Sequence, residues 1–165
     1  MTKAQFLVPV LMLAALTGVM AQSSKKYTGP RPPKPDVPFL LHASNLIPTE
    51  ESEATEEKRK DNTANLILGA TSPVRTPLAE PIFLIETRQL DATKIELFQM
   101  TVKNGKREVV FGSKANKDDE KKRKRVLATR LEPGLFRIEA SQILENGEYC
   151  LSPTDSQKVF CFQIY

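Results

Sequence analysis

Lys103-Asn104-Gly105-Lys106 constrains this chain more than any other feature of its sequence. Asn and Gly both tolerate positive φ, so the pair reads as a two-residue type I′ turn, whose twist matches that of two antiparallel strands. Centring a hairpin there sets Met100 opposite Val109 and Phe98 opposite Phe111 on one face. Turn chemistry and apolar spacing select the same register. Upstream the apolar phase changes, from Ile95 and Leu97 to Phe98, Met100 and Val102. That change predicts a β-bulge near Leu97 and Phe98.

Two more hairpins follow. Glu132-Pro133-Gly134-Leu135 carries Pro and Gly at the central places of a type II turn. A symmetric register sets Leu131 opposite Phe136, Thr129 opposite Ile138 and Leu127 opposite Ala140. The last hairpin turns at Thr154-Asp155-Ser156-Gln157 and faces Leu151 with Phe160, Tyr149 with Phe162 and Gly147 with Ile164. The side bearing those rings is predicted to be core. Twelve prolines, seven glycines, no Trp and short runs of Val, Ile and Phe favour an all-β build. Candidate strands lie at 64–68, 82–87, 94–103, 107–111, 126–131, 136–140, 149–152 and 159–165, with a further one at 37–41.

Leu144-Glu145-Asn146-Gly147-Glu148-Tyr149 precedes the last hairpin. Its Leu144, Gly147 and Tyr149 resemble the tyrosine corner of Greek-key sandwiches such as immunoglobulin and fibronectin type III domains. The resemblance is architectural, since the chain lacks Trp and both cysteines fall in the last hairpin. It implies a Greek-key-like β-sandwich of about seven to nine strands over residues 39–165. It also implies that the Tyr149 ring fills the core edge while its hydroxyl bonds backbone a few residues upstream.

Residues 1–21 read as a secretory signal. Lys3 supplies the positive start, residues 6–19 the apolar stretch, and Val19-Met20-Ala21 a cleavage site before Gln22. An uncleaved anchor is the weaker reading, because the stretch is short and polar residues follow at once. The expected address is periplasmic or extracellular. Residues 22–38 hold Pro30, Pro32, Pro33, Pro35 and Pro38 and are expected to be an extended linker, a spacer rather than a proline-rich ligand. Residues 49–61 begin at Thr49, a possible helix cap, followed by five glutamates and then Lys58-Arg59-Lys60. No apolar stripe docks this segment, so a charged loop or short surface helix is expected.

The candidate sites are few. In the symmetric last hairpin Cys150 lies opposite Cys161, and an exported chain with an even cysteine count favours a disulfide there. Two reduced thiols remain the alternative if the register slips by one. His42 is the only histidine, and no motif supplies it with a nucleophile or a second metal ligand. Asp118-Asp119-Glu120 lacks the alternating oxygens of a calcium loop and reads as solvated.

Lys121-Lys122-Arg123-Lys124-Arg125 is the sharpest surface feature. The formal net charge is +4, and the stretch 103–125 alone holds ten basic against four acidic residues. Such a run usually marks a solvated connection. Outside the cytoplasm it also suits an anionic polysaccharide or lipid headgroup. No catalytic, cofactor or metal residue is nominated. The expectation is a non-catalytic envelope or extracellular interaction module, with a polyanion binder as first alternative and an enzyme as the remote one.

Overall fold

The computed structural model describes residues 26–112, 121–154 and 156–165. Their fourteen strands form two sheets, antiparallel except for one short parallel pair, and no described helix is long and apolar enough to cross a membrane. The first sheet runs β11(Val126–Glu132), β12(Leu135–Ala140), β7(Ile82–Glu86), β1(Phe39–His42), β2(Asn45–Pro48). The second, a curled half-barrel, runs β3(Glu50–Glu53), β14(Lys158–Ile164), β13(Gly147–Pro153), β8(Ile95–Lys103), β9(Lys106–Gly112), β5(Asn62–Leu68), β4(Thr55–Lys58). Two short strands attach to it: β6(Arg75–Thr76) runs parallel to β14, and β10(Arg123–Lys124) pairs with β8. The signal-like segment 1–21 lies outside the described residues, as do Asp118, Asp119 and Glu120.

The last hairpin folds in the expected register, Gly147 to Ile164, Tyr149 to Phe162 and Leu151 to Phe160. Tyr149, Leu151, Phe160 and Phe162 are buried and pack with Phe83, Ile85, Ile95, Leu97 and Ile138 between the two sheets. The Tyr149 and Phe162 rings stack at 5.6 Å, and Phe83 lies 4.9 Å from Phe162. The opposite face of the same strands is buried too. Cys150, Val159 and Cys161 join Phe98, Met100, Val109 and Ile67 in a second cluster on the concave side of the half-barrel.

Two-sided burial replaces the expected bulge in β8. Its register against β13 runs unshifted from Ile95↔Pro153 to Met100↔Glu148. Ile95 and Leu97 enter one core, Phe98 and Met100 the other, so the apolar phase changes while the backbone stays regular. The Asn104-Gly105 turn has φ of 51° and 73°, and its ladder sets Lys103 to Lys106 and Thr101 to Glu108. Phe98 and Phe111 meet edge to face at 5.5 Å.

The Pro133-Gly134 hairpin departs from the symmetric register. Glu132 faces Leu135, but a shift between Arg130 and Glu132 then sets Arg130 opposite Phe136 and Ala128 opposite Ile138. One extra residue at Leu131 moves every later partner by one, which leaves Leu127 exposed and brings Val126 and Ala128 to the core.

Within residues 49–61 the expected loop or helix is replaced by two strands, Glu50–Glu53 and Thr55–Lys58, with an irregular turn at 59–61. Thr49 is buried, and its amide and Oγ1 both donate to Pro38 O, at 3.2 and 2.8 Å. The glutamates beyond it form β3 and β4. The strand total therefore exceeds the seven to nine expected, through β2, β3, β4, β6 and β10. Nor do residues 26–38 hang free. The Tyr27 amide donates to Glu132 Oε1 at 2.7 Å, and Arg31 pairs with the same carboxylate. Asp36, at φ 59°, accepts the amides of Arg88, Gln89 and Leu90 on Oδ1 at 2.9, 3.1 and 3.0 Å. Burial pulls the Asp36 carboxyl upward, but those three amides outweigh it and hold the group below its ordinary value.

Between β12 and β13 the chain crosses from one sheet to the other. There Leu144 is buried and the Tyr149 hydroxyl donates to Glu145 O at 2.9 Å. Tyr149→Phe keeps the ring but leaves that carbonyl without its donor, at a cost of roughly 1–3 kcal/mol. Urea unfolding at unchanged slope should show the loss; a variant as stable as the parent would mean that the hydroxyl contributes nothing.

Candidate functional site

Three features of the half-barrel invite a functional reading: a buried arginine, a cavity and the basic strand. Arg107 lies on β9, two residues before Val109, so the alternation that turns Val109 inward turns Arg107 inward as well. It is wholly buried. Its Nη1 and Nη2 donate to the two Glu50 oxygens at 2.6 and 2.7 Å, a bidentate fork. Nε reaches Gly69 O at 3.1 Å and Nη2 also reaches Leu68 O at 3.0 Å.

A second carboxylate, Glu148 on β13, stands 3.8 Å from Nη1 and is held from behind by Thr71 Oγ1 at 2.7 Å and the Ser72 amide at 3.0 Å. Burial raises the Glu50 carboxyl, yet the hydrogen bonds from Arg107 and Ser72 and the Arg107 charge keep it below its ordinary value of 4.5. The cluster ties β3, β9, β13 and the segment after β5 at one end of the concave face. Sequence reading passed over it, although the period-two pattern Arg107, Val109, Phe111 was there to be read.

Farther along the concave face is a cavity of about 140 Å³, with Ile67, Phe98, Met100, Val109 and Val159 among its walls. The Cys150–Cys161 disulfide crosses between β13 and β14 here, at a Cα separation of 4.0 Å. That approach is the close one of directly opposed antiparallel residues. No described cysteine is free, and no described trio of His, Cys, Asp and Glu forms a metal-ligand group. His42 ends β1 in an exposed position opposite Asn45.

In the basic run Lys121 and Lys122 are helical, and Arg123 and Lys124 form β10. Arg123 pairs with Phe98 and Lys124 with Leu97, so β10 covers the flank of β8 from which β9 has turned away. The Arg123 guanidinium lies 5.7 Å from the Phe98 ring centroid and 3.3 Å from Glu96 Oε1. Lys122 Nζ donates to Val110 O at 2.7 Å, and the Ser141 amide and hydroxyl fasten Arg125 O at 3.0 and 3.2 Å. Lys121, Arg123 and Arg125 are exposed, whereas Lys122 and Lys124 are half-buried. Lys121, Lys122 and Lys124 share a shallow cleft with Gln99, Thr101 and Glu145.

Glu50 binds its proton more weakly folded than unfolded, so its contribution is complete above pH 4.5 and is lost as pH falls through the folded value. Urea midpoints should therefore decline between about pH 5 and pH 3, and Glu50→Gln should flatten that decline relative to the parent. At neutral pH Arg107→Ala strands two carboxylates and should cost roughly 3–5 kcal/mol. An Arg107→Ala protein within 1 kcal/mol of the parent, a small change on the scale of about 3–5 expected, would show that the cluster is not what holds this end together.

No family model, no characterised protein and no solved structure matches this chain.

Proposed function

We propose that this chain is an exported, non-catalytic interaction module built as an immunoglobulin-like sandwich. The observation that carries the reading is strand order. In the first sheet β11-β12-β7-β1 corresponds to D-E-B-A, and in the second β14-β13-β8-β9 to G-F-C-C′. The Tyr149–Glu145 bond sits at the crossing from E to F, where such sandwiches place their corner. The role rests on analogy of architecture with recognition domains that share this sandwich. The partner on this reading is an envelope or extracellular protein.

Export draws its support from residues 1–21 and from the disulfide, a bond that persists mainly in oxidising compartments. Protein recovered from the native host should begin at Gln22 or within a residue or two of it, by intact mass after fractionation. Full-length chain confined to the cytoplasm would overturn the export reading.

A second reading makes the basic strand a site for anionic polysaccharide or lipid headgroups. What favours it is anchorage: pairing of Arg123 and Lys124 with β8 presents Lys121, Arg123 and Arg125 from a fixed backbone. A cation row that need not be ordered on binding loses less entropy to its ligand. Retention on a sulfated polysaccharide should fall steeply with salt, and replacing Lys121, Arg123 and Arg125 by Gln should reduce the logarithmic slope by about one per lost contact. Equal retention of parent and triple variant would remove this reading and leave the interaction module without an assigned surface.

A further inference from the structure

We infer that the cavity on the concave face of the half-barrel is a binding site for a small neutral aromatic molecule, about the size of phenol. Its two ends differ in chemistry. Toward the Arg107 cluster the interior is closed by paired charges and the segment through Thr71 and Ser72. Away from that cluster the cavity walls include Ala54, Ser152 and Gln157, with the Ala54 amide donating to Gln157 O at 2.8 Å. A wall of Ile67, Phe98, Met100, Val109 and Val159 beside the uncharged polar groups of Asn65, Ser152 and Gln157 suits a ring that carries one hydroxyl.

Size narrows the ligand. About 140 Å³ matches the volume of engineered apolar cavities, roughly 150 Å³, that accept benzene. An acyl chain or a polycyclic molecule is too large. Lining chemistry narrows it again. Phe98, Met100 and Cys150 line the cavity, and polarisable side chains of this kind favour an aromatic ring over a saturated one of equal size. Asn65, Ser152 and Gln157 supply uncharged donors and acceptors in the lining. Among the described lining residues Glu56 alone is charged, and it stands 3.8 Å from Lys58. With no cation in the lining, an anion of the same shape would enter without a counter-charge and lose its water.

The wall that makes the chamber is the junction of β3 and β4. Ala54 breaks the strand between them, its amide donates to Gln157 O at 2.8 Å, and its methyl group packs on the concave cluster. A larger side chain at Ala54 would occupy the space directly. Ala54→Leu is therefore the variant that separates a ligand site from an incidental gap.

The test titrates the protein with phenol at millimolar concentration, reading methyl resonances and thermal midpoint, with benzoate as the charged analogue. Phenol should shift the methyl signals of Met100, Val109, Ile67 and Val159 and raise the midpoint in proportion to occupancy. Benzoate should do neither. Ala54→Leu should lose the phenol response; should it fail to fold, Val159→Phe fills the same space from β14 and serves in its place. No shifts with phenol, shifts confined to other parts of the protein, an equal response to benzoate, or a response that survives in a folded filled variant would each overturn the proposal.

Discussion

A curled sheet leaves two rows of unpaired amides and carbonyls at its edges, and in this half-barrel one segment serves both rows. Residues 50–53 pair with β14 from Glu50↔Cys161 to Glu53↔Lys158. Residues 55–58 pair with β5 from Thr55↔Leu66 to Lys58↔Thr63. Ala54 lies between them and hands its amide to Gln157 O. Glutamate is a poor strand former, and nothing in the local sequence argues for extension here. The ladder groups of β14 and β5 supply the reason, since each would otherwise face water or an intermolecular partner. Alternation then turns Glu50, Ala54 and Glu56 toward the concave side. Glu50 can be accommodated there because Arg107 offers both oxygens a donor.

That dependence explains what was legible in the sequence. The last hairpin was readable because turn, apolar alternation and aromatic spacing all act within residues 147–164, and the disulfide follows from its register. The Asn104-Gly105 turn was readable for the same local reason. Residues 49–61 were not, because their extension depends on strands about a hundred positions away as well as on the adjacent β5. The Pro133-Gly134 hairpin lies between these cases. Its turn was visible, but the extra residue at Leu131 carries no local mark, and the burial of Val126 and Ala128 depends on the facing sheet. In β8 the pattern was read correctly and assigned the wrong cause. A strand with two cores has no polar face, so its hydrophobic phase reports on its neighbours rather than on its own backbone.

The Arg107 cluster gives the half-barrel unequal ends. Its guanidinium binds the backbone of Leu68 and Gly69 at the close of β5, where Gly69 takes φ 86°, while Glu148 fastens Thr71 and Ser72 just beyond. Paired charges of this kind are less stabilising than a well-packed apolar plug, yet they are strict about register. Slipping β3 by one residue would turn Glu50 outward and leave the arginine buried without its fork. Farther along, where the Ala54 amide and the Cys150–Cys161 disulfide join the walls, the interior remains unfilled.

Charge is distributed around the wall in the same asymmetric way. The edge strands β3 and β4 carry Glu51, Glu53 and Glu57 in exposed positions, whereas β10 and its flanks place Lys121, Arg123 and Arg125 against β8, the middle strand of the seven-strand path. The two groups therefore lie on different parts of the half-barrel, and a net charge of +4 describes neither. An acidic partner approaching along the field would be turned toward β8 and away from β3 and β4. The glutamates have a second effect on those edges, since an acidic strand adding there would meet like charges. One segment thus completes the ladders of β14 and β5, neutralises the buried arginine and sets like charge against an acidic strand at its own edges.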